Sequence, residues 1–249
     1  MPQNYNIRSD SAQRSIAAVE VDQGLRAYML RVYNYMASGV LLTGIMALLV
    51  YRMPALASLI FEIGPGGAIV GYTGLGIVTL ISPLAFVLVM RFGLNRMRST
   101  TVQALFWAFC AVMGLSISSI MFVYTGVSVA KVFFITASAF GALSLWGYTT
   151  KKDMTGWGSF LIMGLFGIII ASIVNIWLAS PAMDFMVSII GVLIFAGLTA
   201  YDTQRIKRMY YEGDSEGIMT KKAVMGALSL YLDFINMFLM MLRLFGNRN

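Results

Sequence analysis

Histidine is absent from this chain of 249 residues, cysteine occurs once, and only 12% of the residues are charged. Without histidine there is no Ser-His or Cys-His nucleophile pair and no zinc site with an imidazole ligand. A pH response near neutrality would have to use carboxylates in an altered environment. Cys110 stands alone in an apolar stretch, which leaves neither an intrachain disulfide framework nor a cysteine-rich metal site. The glycines form no GxGxxG and no GxxxxGK(S/T) run, so no nucleotide site is read and no cofactor is expected. The charge content is about half the roughly 25% typical of soluble domains.

What is abundant is hydrophobic: 59% of the residues, gathered in blocks of about 18 to 25 that can each cross a hydrocarbon core roughly 30 Å thick. The pattern indicates an all-α, polytopic membrane protein whose first partner is the lipid bilayer. The net charge of +7 could suggest nucleic acid. However, the basic residues sit at the ends of the apolar blocks, where they orient a membrane protein, and no nucleic-acid partner is expected.

Residues 1–26 read as a polar, cytoplasmic N-terminal tail without the apolar core and cleavage site of a secretory signal. Residues 27–249 read as one transmembrane domain of seven spans. These fall at about Ala27–Tyr51, a Gly-rich connection merging into a block that ends near Met90, Val102–Tyr124, Val129–Tyr148, Trp157–Leu178, Met183–Tyr201 and Ala223–Phe245. Pro181 marks a tight turn, and Asp202–Lys222 reads as a polar loop. With Arg31 counted in the tail, fourteen of the eighteen basic residues fall on the N-terminal side of the membrane. That excess predicts an N-terminus in the cytoplasm and a C-terminus on the opposite side. Gly67 and Gly71 make one GxxxG spacing, and Gly39, Gly44, Gly164, Gly167, Gly191 and Gly197 are further candidates for close helix contact. The methionines and phenylalanines read as core and lipid-facing filler.

Asp233 breaks the apolar pattern about ten residues into the seventh span. An ionised carboxylate at mid-membrane costs at least about 2.5–3.5 kcal/mol unless it is paired, protonated or hydrated. Gly226, Ser229, Asp233, Asn236 and Met240 share one helix face, so this small and polar stripe should meet protein or water. The plain reading is a set of satisfied interhelical hydrogen bonds; the functional one is an ion or proton pathway. Asp202 is placed at the cytoplasmic end of the sixth span, where the helix dipole opposes it and a cation is required. Arg205, Lys207 and, across the bundle, Arg91 are the candidates. If Asp202 reaches Asp233, the two cannot both ionise cheaply and one holds a proton. Such a pair can also offer oxygen ligands to a hard cation such as Ca²⁺.

Two runs carry a resemblance: Thr199-Ala-Tyr-Asp-Thr-Gln-Arg-Ile-Lys207 and Leu228-Ser-Leu-Tyr-Leu-Asp-Phe-Ile-Asn236 with its continuation to Gly246. Together with the Asp22–Asn34 segment they resemble a bacterial branch of the Bax inhibitor-1 (transmembrane BAX inhibitor motif) family. The resemblance implies six helices around a central polar seventh, and a pH-sensitive Ca²⁺ leak across a bacterial inner membrane. It implies that Asp202 and Asp233 are the pH-sensing pair and that Arg91 latches Asp202 in a closed form. Joined to the residue reading, this makes the pair the cation ligands, with Ser229 and Asn236 as pathway lining. Regulation through a charged C-terminal tail is not carried over, because only Arg248 is charged beyond the last span.

Two rival readings differ in class. An intramembrane aspartyl protease also places Tyr-Asp and Asp on its sixth and seventh helices. Here, however, Leu230-Tyr231-Leu232 precedes Asp233 in place of the glycines that let a substrate backbone approach, and an enzyme is not expected. A non-conducting regulator that binds a membrane-anchored protease is the other. A retinal pump is excluded because the seventh span has no lysine for a Schiff base.

Overall fold

The computed structural model describes the backbone of residues 4–64 and 69–248, with side chains from Gln23 onward. Among the described residues seven helices are long and apolar enough to cross a membrane. They are α1 (Asn4–Arg52), α3 (Gly74–Gly93), α4 (Ser99–Ile117), α6 (Gly126–Thr149), α7 (Thr155–Leu178), α8 (Pro181–Arg208) and α9 (Glu216–Phe245). The expected tail is helical from Asn4 and continuous with the first span, which begins at Gln23. The side chains of its first 22 residues, and Gly67 of the GxxxG spacing, lie outside the described residues.

Between α1 and α3 the Gly-rich connection contains more structure than its composition suggested. A short helix α2 (Pro54–Ile60) leads into an antiparallel hairpin of β1 (Phe61–Ile63) and β2 (Ile69–Tyr72). Phe61, Ile60, Ala57 and Val50 form a small core there with Leu115 and Phe122. After α4, the one-turn helix α5 (Ile120–Val123) completes the third span. The α7–α8 connection is as tight as Pro181 implied. Ala179 adopts a left-handed conformation with φ 46°, and its N–H bonds to the Asn175 carbonyl. The Asn175 side chain accepts from Ser180 N–H, and Pro181 opens the next helix.

The largest departure concerns α8 and α9. The polar run Asp202–Lys222 is not a loop. Helix α8 continues to Arg208, with Arg205, Lys207 and Arg208 favourably placed in its last turn. Helix α9 starts at Glu216, an acid in the first turn, leaving only residues 209–215 between them. Lys222 fastens this turn by bonding to the Met209 carbonyl and to Asp214.

Helix α9 is the centre of the bundle. Two thirds of its membrane window (67%) is buried, against 11% for α7. Its principal neighbours are α1, α4, α6 and α8, while α3 packs on α4 and α7 on α8. Apolar residues such as Phe160, Met163, Ile170, Ile176 and Trp177 of α7 are exposed, as a helix facing lipid requires. Small residues set the close approaches. A Cβ on Gly147 would lie 2.3 Å from the Ala200 carbonyl oxygen, and one on Gly114 would lie 2.5 Å from that of Thr43. Gly39, Gly164, Gly191 and Gly197 also meet neighbouring helices, whereas Gly44 and Gly167 have open space beside them.

Tyr231 of α9 is completely buried, and its hydroxyl meets Thr43 of α1 at 2.6 Å. Thr43 in turn donates to backbone carbonyls, within 3.0 Å of Gly39 and 2.9 Å of Cys110. Tyr231→Phe is therefore expected to destabilise the bundle by about 1 kcal/mol, read as a lower unfolding midpoint. An unchanged midpoint would show that this contact contributes no net stability.

Candidate functional site

The same packing that centres α9 brings the two expected aspartates together. Two contacts set the antiparallel register of α8 and α9: Gly226 against Ile206 near one end and Gly191 against Met240 near the other. In that register Asp202 stands level with Leu230, and Asp233 lies three residues, about 4.5 Å, further along α9. Asp202 is thus about 9 Å inside the end of α8, because the helix continues past Tyr201 to Arg208. Both carboxylates are buried, and they act on each other electrostatically.

Each aspartate faces inward for a local reason. Phe195, Leu198, Asp202 and Ile206 form the buried stripe of α8, spaced three and four residues apart. On α9, Gly226, Leu230, Asp233 and Met237 form the corresponding stripe. The apolar flanks Phe234 and Phe238 are buried too, against Phe133 and Phe140 of α6 and Phe133 of α6 respectively.

The cation held by Asp202 is Arg205, one turn away on the same helix, at 3.3 Å. Arg91, expected to form this ion pair, sits in the last turn of α3 and acts on Asp202 only through longer-range attraction. Lys207 turns away, donating to the Tyr148 carbonyl and lying over the Tyr148 ring. Oδ2 of Asp233 has no hydrogen-bond partner among the described residues. Two carboxylates thus share one guanidinium in direct contact, and Arg91 adds only its longer-range attraction.

Ser229 and Asn236 flank the pair, both half-buried. The Asn236 amide donates to the Leu232 carbonyl of its own helix and not to either aspartate. Among the described residues no group of three or more acidic, cysteine or histidine side chains is arranged to hold a metal ion. Ca²⁺ takes 6–8 oxygen ligands, and two carboxylates supply four at most.

Several polar groups escaped the sequence reading. Gln204 accepts from Met154 N–H and donates to the Lys152 carbonyl, tying the α6–α7 turn to α8 beside Asp202. Tyr33, Ser144 and Thr203 form a hydrogen-bonded chain linking α1, α6 and α8 at 2.7 and 2.9 Å. Polar side chains inside apolar blocks were the available signal. Asp153, in the turn outside the membrane spans, is held well below the usual carboxylate range by hydrogen bonds from Thr155, through side chain and backbone, and from Arg208. It stays ionised near neutral pH and cannot be a sensor there. At the far end of the bundle Asp184 and Arg243 pair at 3.3 Å beside a cavity of about 410 Å³ that Tyr124, Asn175 and Arg248 also line.

Comparison with known proteins places this arrangement in context. A family model described as Inhibitor of apoptosis-promoting Bax1 matches residues 25–249. A protein of Caulobacter vibrioides is 48% identical over 240 residues, covering 96% of this chain and 95% of that protein. Protein RP147 of Rickettsia prowazekii is 45% identical over 227 residues, covering 91% and 92%. The "Inner membrane protein YbhL" of Escherichia coli strain K12 is 44% identical over 241 residues, covering 96% and 99%. With both aspartate-bearing helices inside the matched region, the chain belongs to the Bax inhibitor-1 family of membrane proteins.

Proposed function

We propose that this protein is a pH-sensitive Ca²⁺ leak channel or transporter of the bacterial inner membrane, gated by Asp202 and Asp233. The observation that carries the reading is the buried pair itself, with one Asp233 oxygen unpartnered and a single guanidinium in contact with Asp202 among the described residues. Intramembrane carboxylates without full compensation mark ion and proton paths. The name of the Escherichia coli relative supports the inner membrane, and the distribution of lysine and arginine supports an N-terminus in the cytoplasm. A C-terminal reporter that works only outside the cytoplasm should be active; inactivity would reverse the orientation.

In this reading the aspartates supply the sensor and the transient cation ligands, and Ser229 and Asn236 line the path. Protonation removes the negative charge that holds Arg205, and a Ca²⁺ ion competes with the same guanidinium. The reading assigns no enzymatic chemistry to the pair.

The test is Ca²⁺ entry into liposomes containing the purified protein, compared between pH 6 and pH 8. Because Arg205 makes the contact, Arg205→Gln should raise basal leak about two- to fivefold, the equivalent of losing a partly exposed ion pair. Arg91→Ala should raise it less. The opposite ranking would restore Arg91 as the latch. Flux no greater than in empty liposomes would overturn the conducting reading and favour a protein-binding role, such as one toward a membrane-anchored protease.

A further inference from the structure

A second feature lies away from the aspartates, between α1 and α6. Toward the end where α6 stops, the two helices border a groove of about 470 Å³. Its walls are Met29, Leu30 and Tyr33 on one side and Phe140, Leu145 and Tyr148 on the other. Gly141 also lines it, and a Cβ there would meet nothing within 4 Å. Two hydroxyls of its wall, those of Tyr33 and Ser144, bond to each other at 2.7 Å. The shaft is therefore apolar in effect and runs about 10 Å along α1.

The mouth of the groove is cationic. Arg26 lines it. Lys207 lies 4.8 Å from the centre of the Tyr148 ring that forms its wall. Beyond Tyr148 is a second cavity of about 350 Å³, lined by Leu25, Thr150, Lys151, Lys207 and Arg208. Arg208 is neutralised by Asp153. Arg26, Lys151 and Lys207 have no acidic partner among the described residues. An apolar shaft that opens on three cations without an acidic partner among the described residues fits an amphiphile with a negative head at the membrane surface.

We propose that the α1–α6 groove binds one anionic phospholipid, with an acyl chain along Gly141 and its phosphate at Arg26, Lys151 and Lys207. Zwitterionic lipids can fill the same shaft, but their ammonium group meets the same cations and gains nothing from them. The bound lipid would bridge α1 and α6, the two helices joined through the Tyr33–Ser144–Thr203 chain to α8, on which Asp202 lies. This proposal is independent of whether the protein conducts Ca²⁺.

The test is native mass spectrometry of the full-length protein in a neutral detergent, titrated with phosphatidylglycerol or with phosphatidylcholine of the same chains. The wild type should bind its first phosphatidylglycerol on the order of a hundredfold more tightly than phosphatidylcholine, about fivefold for each of the three cations. Arg26→Gln with Lys151→Gln should lower phosphatidylglycerol binding about fivefold for each cation removed and leave phosphatidylcholine unchanged. Gly141→Leu should fill the shaft and weaken both lipids. Should that variant fail to fold, the wild-type comparison and the charge variant decide the matter alone. Equal wild-type binding of the two lipids, or an unaltered preference in the charge variant, overturns the proposal. Complete displacement of phosphatidylglycerol by glycerol phosphate would also overturn it, by assigning the site to a free anion.

Discussion

Asp233→Asn is expected to abolish the pH dependence of Ca²⁺ flux while making the protein harder to unfold. One proton bound or released can change an open–closed ratio by up to about tenfold per pH unit. A large difference between pH 6 and pH 8 in the wild type should therefore fall below about twofold in the variant. The stability gain has a separate cause. Asp233 is buried beside Asp202, and its Oδ2 lacks a partner. The asparagine amide keeps the shape, removes a negative charge and can donate to the Asp202 carboxylate. A hydrogen bond to a charged group contributes about 1.5–3 kcal/mol, so the unfolding midpoint should rise at neutral pH. A pH profile that survives in this variant places the sensor elsewhere. A midpoint that falls shows that Asp233 is already compensated in the wild type. A stabilised but unresponsive variant would mark the unpartnered carboxylate as a feature kept for function at the expense of stability.

The other large effect concerns the contact that sets the position of Asp202. Gly147→Val should be strongly destabilising, because its first added carbon would lie 2.3 Å from the Ala200 carbonyl oxygen and 2.9 Å from its Cα. Backbone cannot rotate aside as a side chain can, so α6 and α8 must separate. Overpacking commonly costs about 1–3 kcal/mol, and a rigid obstacle puts this case at or above the upper end. Ala200 is two residues before Asp202, so any protein that does fold should also have an altered basal leak. Gly167→Ala is the matched control. It is helical with nothing within 4 Å of the added carbon, and should be neutral or stabilising by up to about 1 kcal/mol. Equal effects at the two positions would show that the α6–α8 contact is looser than its geometry implies.

The contrast between these glycines shows what a sequence can and cannot express. Gly167 was among the expected contact residues and touches nothing, whereas Gly114 and Gly147 make close backbone approaches and were not singled out. Spacing along a chain places glycines on a helix face but does not say toward which neighbour that face is turned. The end of α8 was missed for a different reason. Hydropathy falls after Tyr201, so the span was closed there, although Arg205, Lys207 and Arg208 are well suited to a helix's last turn. The start of α9 carried a readable signal as well, in Ser215 followed by Glu216. The hairpin at residues 61–72 had almost none, since two strands of three and four residues are too short to establish an alternating pattern.

Arg205 against Arg91 is the sharpest case. Sequence could name both as partners for Asp202. The choice depended on the rotation of α3 about its axis and on the depth of Asp202 within α8.

By itself, the sequence determined the number of spans, the all-α membrane architecture and the presence of a carboxylate deep in the last span. These follow from the length of apolar runs and the cost of charge in hydrocarbon, both properties of a chain read in one dimension. Only the tertiary structure decided the α8–α9 register that joins Asp202 to Asp233, the cation that pairs with Asp202, and the groove between α1 and α6. Each of these depends on how helices rotate and slide against one another until small residues interlock. That packing is specified by many residues jointly, and no single run of sequence carries it.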